Sequence, residues 1–418
     1  MTPDAMRILI VTQYFWPETF RINDVALGLR ERGHEVTVYT GKPNYPDGRI
    51  FPGYGLLTRS RDSYQGIPVI RVPLVPRGAG GRLRLALNYL SFALLASLLA
   101  PARCRGGFDV ILVYEPSPIT IGIPAIVLGV LKKAPLLLWV QDLWPESLSA
   151  TAAVRSPWVL KVVERVVRGI YRRCARILVQ SRAFAEPITR LGIDARRIVY
   201  LPNSAEALYR PAQAADTVAQ ASELPAGFRV MFAGNIGAAQ DFETIVSAAE
   251  RLKSLPDIQW LIIGDGRMLP WVTSEVARRG LQHTVHLLGR HPVEAMPGFF
   301  ACADAMLVTL KRDPIFAMTI PTKLQSYLAS ARPIIAALDG EGARIVAEAQ
   351  AGLACPPENP AALAETVLAM QRLTPDARAA MALRARVYFE AHFERETLLT
   401  RLDGCMKDAA MEASRCAR

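Results

Sequence analysis

A lysine in the first turn of a predicted helix is the residue of this sequence whose position most strongly indicates chemistry. Pro321 ends the preceding segment and Thr322 can cap a helix. Apolar residues recur at helical spacing from Leu324, which places Lys323 in the first turn. The positive end of the helix dipole disfavours a cation there unless an anion is bound, and the free N–H groups suit phosphate. The segment predicts an anion site; a turn that carries a lysine by chance is the alternative.

Three predicted strands in the second half of the chain end in glycine-rich turns. They read VMFAGN before Ile-Gly, WLIIGDG, and IIAAL before Asp-Gly-Glu-Gly, the last predicted to be a flexible loop. Glycine allows a close approach of backbone to ligand, and open α/β sheets bind ligands at the carboxyl ends of strands. One such turn is weak evidence, but three predict a ligand site. The candidate ligand-binding residues are Gly234, Asn235, Gly237, Asp265, Gly266 and Glu341, together with Thr322, Lys323 and Leu324 at the start of the predicted helix.

The elements that must position these residues alternate between strand and helix along the chain. With 418 residues, 51% hydrophobic and 21% charged, the composition is that of a globular protein with two domains. The alternation predicts two doubly wound, Rossmann-like α/β domains that face a central cleft. We place the first domain at 1–205 and the second at 206–386, separated near an alanine-rich stretch at 205–227. A C-terminal helix at about 387–418 could pack back on the first domain.

The cysteines and the N-terminus bear on location and metal binding. The six cysteines show no metal-ligand spacing, and the first residues lack a secretory pattern. We therefore expect reduced thiols, a cytoplasmic protein and no metal site.

The net positive charge of the chain comes from its first half. Residues 1–205 contain 27 Lys and Arg against 14 Asp and Glu, whereas residues 206–418 contain 22 against 24. The arginines form no nucleic-acid motif, so an anionic membrane surface is the favoured partner over nucleic acid.

The deciding segment is the uncharged run at 85–102, which arginines flank on both sides. A helix that ends before Pro101 spans about 24 Å, short of the ~30 Å hydrocarbon layer. Arg84, Asn88 and Ser91 form a thin polar stripe on an otherwise apolar surface. We expect peripheral attachment to the inner face of the plasma membrane; a buried helix of the first domain is the alternative.

Seven segments together resemble the WbuB-like group of family 4 retaining glycosyltransferases, which have the GT-B fold. They are QYFWPE (13–18), RGHEVTVYTGKPNYPDG (32–48), VQDLWPES (140–147), VYLPNS (199–204), FAGNIG (232–237), GDG (264–266) and PTKLQSYLASARPI (321–334). The resemblance covers nearly the whole chain. It implies transfer of a sugar from a nucleotide-diphosphate sugar, with retention, to a glycan or polyprenyl-diphosphate-linked acceptor in cell-surface polysaccharide assembly. In and beside the first two segments, the residues expected on the acceptor side are Glu18, Asn23, Lys42 and Asn44.

The sequence also departs from the family. Two family glutamates, eight residues apart, correspond to Met318 and Ser326, which cannot act as carboxylates. The Arg and Lys after the first glycine turn are absent as well, and that loop reads GNIGAAQD with Gln240. We therefore expect Lys323 and Arg312 to carry the charge of the diphosphate, with Gln240 in the donor site.

The reaction itself requires donors around the departing phosphate and a base for the acceptor. Lysine and N–H groups can neutralise the phosphate without a metal, so no cofactor is expected. The base candidates are Glu115 and Asp142, each after an apolar strand; either could instead cap a helix. A nucleotide-sugar epimerase of the same fold and a non-catalytic sugar-nucleotide-binding protein are the alternatives.

Overall fold

Parallel sheets bury both faces of their strands, and the strands of this chain are accordingly continuous apolar runs. All side chains of Leu136–Val140 and Ile258–Ile263 are buried. The structure, a computed structural model, describes residues 5–55, 58–78, 81–150, 156–211 and 224–416. The chain forms two compact units, one of Met1–Leu201 with Leu399–Arg418 and the other of Pro202–Leu398. Part of the alanine-rich stretch predicted between the domains, 212–223, lies outside the described residues.

Unit 1 is built on an eight-stranded sheet with the order β3-β4-β2-β1-β5-β6-β7-β8. Only β3 runs antiparallel to its neighbour. Its strands are β1 (Arg7–Val11), β2 (Glu35–Gly41), β3 (Arg61–Tyr64), β4 (Ile67–Val72), β5 (Val110–Glu115), β6 (Leu136–Val140), β7 (Arg176–Val179) and β8 (Ile198–Tyr200). Its helices are α1 (Arg21–Glu31), α2 (Arg82–Arg103), α3 (Gly122–Lys132), α4 (Glu146–Ala150), α5 (Pro157–Arg173) and α6 (Ala185–Arg190).

Unit 2 is built on a six-stranded, wholly parallel sheet with the order β11-β10-β9-β12-β13-β14. Its strands are β9 (Phe228–Ala233), β10 (Ile258–Ile263), β11 (Val285–Gly289), β12 (Ala305–Thr309), β13 (Ile334–Ala337) and β14 (Gly352–Cys355). Its helices are α7 (Phe242–Arg251), α8 (Leu269–Arg278), α9 (Met296–Ala301), α10 (Pro314–Met318), α11 (Thr322–Ala329), α12 (Gly340–Ala349), α13 (Pro360–Arg372) and α14 (Pro375–His392).

Each sheet has the strand order of a doubly wound fold. In unit 1 the order reverses between β1 and β5, and in unit 2 between β9 and β12. Loops diverge at such a switch point and leave a crevice at the carboxyl ends of the strands, where ligands of open α/β sheets bind. The prediction of two doubly wound α/β domains is confirmed.

The C-terminal segment differs from the single helix predicted at 387–418. α14 ends at His392, and a second helix, α15 (Arg395–Cys416), follows a break at the fully buried Phe393. α15 belongs to unit 1 from Leu399 onward. Within that unit, Glu412 forms an ion pair with Arg176, and Asp403 lies 3.1 Å from Nε2 of His34.

The helix α2 is longer than the sequence predicted. It runs for 22 residues and contains Pro101, which lies in the last turn. At ~1.5 Å per residue it is about 33 Å long, so the expectation that it is too short to span a membrane was wrong. By length and composition alone its segment Leu83–Arg103 could cross a membrane.

One face of α2 packs on unit 1, and two residues of the predicted polar stripe, Asn88 and Ser91, lie on that face, whereas Arg84 is exposed. Oδ1 of Asn88 accepts a hydrogen bond from Nε2 of Gln13 at 2.7 Å, and its Nδ2 donates to the carbonyl of Val75 at 2.6 Å. Ser91 accepts from the amide of Val75. Asn88 and Ser91 therefore lie on the buried side of α2, and an apolar side of the helix is exposed. We call that side the leucine face: Leu83, Leu87, Leu90, Leu94 and Leu98, which are 46 to 75% exposed.

The orientation of α2 can be tested with a glutamate placed on either side of it. Leu94→Glu should change the free energy of unfolding by less than about 0.5 kcal/mol, because the side chain already meets water. Ala96→Glu should cost more than about 3 kcal/mol, because it buries an unpaired charge at a fully buried position. Urea denaturation of both variants measures the difference, and equal losses would contradict this orientation.

Candidate active site

The loops after β9 and β10 pack directly on each other at the carboxyl edge of the unit 2 sheet. The amide of Gly234 donates to the carbonyl of Ile263 at 2.9 Å, and the amide of Ile236 donates to the backbone carbonyl of Asp265 at 2.8 Å. A Cβ on Gly264, whose φ is +138°, would lie 1.9 Å from the carbonyl oxygen of Gly234. Glycine is required at 264 because the two backbones touch.

Gly234 has a different environment from Gly264. Its φ is +136°, and a Cβ there would meet only Cε and Nζ of Lys323, both at 3.6 Å. The backbone of Gly234 is therefore open on the side of the lysine. The role of this glycine in a close approach of backbone to ligand stays a prediction.

Lys323 extends from the first turn of α11 back over the end of β9. Its Nζ lies 3.8 Å from the centroid of the Phe232 ring and donates a hydrogen bond to Oε1 of Gln240. Burial lowers the pKa of Lys323 to about 7. No carboxylate among the described residues forms an ion pair with it. The cation therefore has a ring face and an amide oxygen as neighbours, and an anion would stabilise its charged form.

Gln240 is fixed by the loop after β12, on the other side of the switch point. The hydroxyl of Thr309 donates to the carbonyl of Gln240, and the amide of Lys311 donates to that of Ala239 at 2.9 Å. The structure therefore brings together Gly234 and Gln240 of the loop after β9 and Lys323 of α11.

Two residues of the predicted first turn differ from their predicted roles. Pro321, not Thr322, is the N-cap of α11, and the cap has no side-chain hydrogen bond. Thr322 is the first helical residue and is exposed. The side chain of Leu324 is fully buried in the core, so a direct contact between it and a ligand was a wrong prediction.

The segment after β13 is not the flexible loop that the sequence predicted. Gly340 has φ +70° and begins α12, and a Cβ on it would lie 1.9 Å from the carbonyl oxygen of Ala317. Glu341 lies in the first turn of α12, is almost fully buried and forms an ion pair with Arg344. Arg312 lies 3.6 Å from Asp339 in an exposed ion pair. Glu341 and Arg312 thus have partners outside the group formed by Gly234, Gln240 and Lys323.

The remaining predicted residues of unit 2 lie on the two glycine loops. Asn235 and Asp265 are exposed, and Oδ1 of Asp265 accepts the amide of Gly266 at 2.7 Å. A Cβ on Gly237 would lie 2.6 Å from Nδ2 of Asn235, and one on Gly266 would lie 2.3 Å from the carbonyl oxygen of Ile236. Gly264 and Gly266 therefore serve the packing of one loop on the other, whereas the neighbour of Gly237 belongs to its own loop.

In unit 1, Glu115 and Asp142 follow neighbouring strands but have different surroundings. Glu115 is the last residue of β5 and is fully buried; burial raises its pKa well above the usual range, the carboxylate of Asp142 adds to the shift, and the amide of Asp142 opposes it. Asp142 is half-buried and accepts hydrogen bonds from the hydroxyl of Ser147 and, at 3.2 Å, from Nε1 of Trp144. Of the two carboxyl groups, Asp142 is the one open to solvent.

The four residues predicted on the acceptor side hold loops together instead of lining a surface. The carboxylate of Glu18 accepts the amides of Asn44 and Tyr45, both at 2.8 Å, and burial raises its pKa to about 7. Nζ of Lys42 donates to the carbonyls of Thr58 and Arg59, and burial lowers its pKa to about 8.

The side-chain amides of Asn44 and Asn23 also hold loops together. Asn44 is fully buried, and its Nδ2 donates to the carbonyl of Lys42 at 2.9 Å. Asn23 accepts the amide of Trp16 at 3.1 Å and donates to the carbonyl of Glu18 at 2.7 Å. The prediction that these four side chains contact an acceptor is corrected, because their polar atoms are bonded to the loop backbone.

The two units correspond to two glycosyltransferase family models. The model of the glycosyl transferase 4-like domain matches residues 19–204, and that of the glycosyl transferases group 1 matches residues 227–372. WbjE of Pseudomonas aeruginosa, named as a glycosyltransferase, is 28% identical over 66% of this chain and 69% of its own length. WcaI of Escherichia coli K12, named as a colanic acid biosynthesis glycosyl transferase, is 26% identical over 78% of this chain and 81% of its own.

Solved structures of glycosyltransferases share the fold over almost the whole chain. HepE of Anabaena in complex with UDP has a TM-score of 0.72 and 15% identity, over 96% of this chain and all of its own. Sucrose-phosphate synthase of Thermosynechococcus elongatus has a TM-score of 0.73 and 16% identity, over 96% and 98% of the two chains. The chain is a glycosyltransferase of the GT-B fold.

Sequence reasoning missed two groups of residues in this glycosyltransferase. The hydroxyl of Tyr327 accepts the amide of Ala233 and donates to the carbonyl of the same residue, which fixes the end of β9 against α11. In unit 1, Arg77 lies over tyrosine rings from three other segments. Arg77 lies in no sequence motif, and the only sequence signal for this group was the position of Tyr14 and Tyr45 after strand ends.

Metal binding has no candidate group in the described part of this glycosyltransferase. No cluster of three or more His, Cys, Asp or Glu suited to a metal occurs there. Whether the reaction needs a metal is therefore a matter for experiment.

The environment of Lys323 has a consequence for stability that depends on pH. Its pKa is about 7 in the folded protein against the ordinary 10.5, so the unfolded chain binds more protons between these values, and stability rises with pH across that window. Lys323→Met should therefore be more stable than the wild type at about pH 6, and the gain should shrink towards about pH 10.

Urea denaturation at the two pH values measures this difference. Lys253→Met is the matched control, because Lys253 is exposed and its Nζ donates to the carbonyl of Arg279. We expect no comparable pH-dependent gain in the control. A Lys323→Met variant no more stable than the wild type at the lower pH would contradict the desolvated environment.

Proposed function

We propose that this glycosyltransferase belongs to the retaining family 4 enzymes and moves a sugar from a nucleotide-diphosphate sugar to a lipid-linked or glycan acceptor. The acceptor belongs to cell-surface polysaccharide biosynthesis, such as that of O-antigen, capsule or exopolysaccharide. The observation that carries the proposal is the ammonium of Lys323, half-buried without a carboxylate partner among the described residues and next to the open backbone of Gly234.

The donor binds with its diphosphate at Lys323. Negative charge develops on the leaving phosphate as the glycosidic bond breaks, so preorganised positive groups at that phosphate stabilise the transition state more than the ground state. Lys323 supplies one charge, held in place by Gln240, and the first turn of α11 supplies N–H groups. Neutralisation by these groups requires no metal. Asn235 and Asp265, both exposed on the adjoining loops, would contact the rest of the donor.

Two comparisons support the class of donor and the pathway. HepE has been solved in complex with UDP and with UDP-glucose, and WcaI is named for colanic acid biosynthesis. The donor class and the polysaccharide product are extended from those proteins to this chain. The retaining stereochemistry rests on the resemblance of the sequence motifs to family 4.

Asp142 is the base that we assign to the acceptor hydroxyl. It is half-buried at the end of a strand, and its two oxygens are oriented by Trp144 and Ser147. The second carboxyl group, Glu115, is fully buried, and burial raises its pKa well above the usual range, so it is less accessible to an acceptor hydroxyl than Asp142.

The reaction is tested by incubating the full chain with radiolabelled UDP-, GDP- and dTDP-sugars and a membrane lipid extract. Transfer of label into the lipid phase is expected, and NMR of the product should show the anomeric configuration of the donor. An epimerised donor without transfer, or no turnover with any donor, would contradict the proposal. Inversion at the anomeric carbon would contradict the retaining class alone.

Asp142→Asn should lower turnover by roughly 10² to 10⁴, the usual span for a positioned base, and leave donor affinity unchanged. Glu115→Gln is the comparison, since it replaces a fully buried side chain with a neutral group of the same shape and should be much less damaging. Initial rates and calorimetric donor titrations of both variants measure the effects. Wild-type turnover in Asp142→Asn, with loss in Glu115→Gln, would reverse the assignment.

We also propose that the enzyme is attached peripherally to the inner face of the plasma membrane through the leucine face. Asn88 and Ser91 tie the opposite side of α2 to unit 1, so lipid cannot surround the helix without breaking those hydrogen bonds. The exposed leucine face can insert its apolar side chains among lipids, and the positive charge of the first half of the chain attracts anionic headgroups.

Fractionation of cells at low and high salt tests the attachment. The wild type should be found partly with membranes at low salt and be partly released by high salt, because screening weakens headgroup attraction. Leu90→Glu with Leu94→Glu should release much more of the protein at either salt concentration.

The matched control carries two glutamates on an exposed apolar pair of unit 2, Leu383→Glu with Val387→Glu. It should stay with the membranes as the wild type does. A wild type that is fully soluble at low salt, or one that only detergent extracts, would contradict peripheral attachment.

A further inference from the structure

An arginine surrounded by aromatic rings lies at the carboxyl edge of the unit 1 sheet. The rings form what we call the aromatic cluster: Tyr14 after β1, Phe20 before α1, Tyr45 after β2 and Tyr89 on α2. Tyr14 stacks on Phe20 with centroids 5.1 Å apart, and Tyr45 lies 5.9 Å from Tyr14 and 5.4 Å from Phe20. Arg77, after β4, completes the group. This edge of the sheet is where open α/β domains bind ligands.

The guanidinium of Arg77 is held by rings and not by a counter-ion. It lies 5.1 Å from the centroid of Tyr45, 5.8 Å from that of Tyr14 and 6.0 Å from that of Tyr89. Its one side-chain hydrogen bond among the described residues is a long one, 3.5 Å, to the hydroxyl of Tyr89. No carboxylate among the described residues forms an ion pair with Arg77. A planar cation with unused donors is suited to bind phosphate through two oxygens.

The position of Arg77 is built by buried hydrogen bonds. Its amide donates to Oδ1 of Asn44 at 3.2 Å, and Asn44 itself is held by Glu18. Glu18 also fixes the amide of Tyr45. The motif residues assigned to the acceptor by sequence therefore position this cluster, even though they do not line it.

The surroundings of the cluster indicate what kind of anion it takes. Tyr89 is followed on α2 by Leu90, and the leucine face continues from there. The hydroxyl of Tyr89 interacts with Ser117, and the carboxylate of Asp142 is near enough to act on it electrostatically. An apolar surface thus lies on one side of the cation, and the proposed base lies near the same tyrosine.

We infer that Arg77, with Tyr14, Tyr45 and Tyr89, binds the phosphate of an acceptor carried on an apolar chain. The chain lies towards the leucine face, and the sugar hydroxyl that is to be glycosylated lies towards Asp142. The role as an acceptor site rests on the proposed function, whereas binding of a phosphorylated lipid does not require it.

Direct binding to the full chain tests the site with three probes: farnesyl diphosphate, farnesol and inorganic diphosphate. Arg77→Gln should weaken farnesyl diphosphate about 10- to 100-fold, the effect of losing hydrogen bonds to a charged group. Arg77→Lys should fall between this variant and the wild type, because it keeps the charge and loses the planar fork. Farnesol should bind weakly to all three proteins.

Arg105→Gln is the matched control, because Arg105 is exposed just beyond the other end of α2 and its loss changes the net charge equally. Its affinity for farnesyl diphosphate should be unchanged. Equal losses in both glutamine variants, or wild-type affinity in Arg77→Lys and Arg77→Gln, would overturn the site. Inorganic diphosphate that binds as tightly as farnesyl diphosphate, with the same dependence on Arg77, would overturn the lipid source of the phosphate.

The outcome for this site is separable from that of the transfer reaction. Circular dichroism and nucleotide affinity establish that the Arg77 variants are folded; if Arg77→Gln is not, Arg77→Lys decides. Arg77-dependent binding of farnesyl diphosphate without sugar transfer would support the site and contradict the proposed function. Transfer to lipid that Arg77→Gln leaves unchanged would overturn the site alone.

Discussion

The ammonium of Lys323 is partly desolvated and has no carboxylate partner in the described part of the chain, and the proposed site is organised around this unpaired charge. Burial lowers its pKa to about 7, and the face of Phe232 with the amide oxygen of Gln240 replaces only part of its hydration. An anion that binds beside Lys323 would stabilise the charged form of its ammonium. A diphosphate supplies that anion and recovers the stability that the empty site lacks.

The remaining elements of unit 2 fix this contact by bringing backbones together. Gly264 lies against the carbonyl of Gly234, Tyr327 bonds both backbone groups of Ala233, and Thr309 holds the carbonyl of Gln240. These contacts join the ends of β9, β10 and β12 to α11 at the point where the strand order reverses. The lysine is therefore preorganised before a ligand binds, as stabilisation of a developing phosphate charge requires.

Local patterns allowed prediction of the fold and of the lysine, but not of the partners that come from distant segments. Continuous apolar runs identified strands such as β6 and β10, and the helix start identified Lys323. The strand β3, RDSY, has no apolar pattern because it lies at the sheet edge, and its neighbour β4 contains Pro68. Asn88 was predicted only as part of a thin polar stripe on α2; its partners Gln13 and Val75, which place it inside, are not detectable from local spacing. Glu18 and Asn44 were assigned to the acceptor, and the hydrogen bond between the Glu18 carboxylate and the Asn44 amide is evident only in three dimensions.

The central claim, that Lys323 receives the charge of the donor diphosphate, is tested most directly by proton uptake on nucleotide binding. At about pH 8.5 a lysine with a pKa near 7 is mostly neutral, and a bound diphosphate should restore its charge. Calorimetric titration with UDP, GDP and dTDP in two buffers of different ionisation enthalpy counts the protons taken up. The account predicts an uptake approaching one proton for the nucleotide that binds the wild type, and none for Lys323→Met. Tight nucleotide binding with no uptake in the wild type, or equal uptake in both proteins, would contradict it.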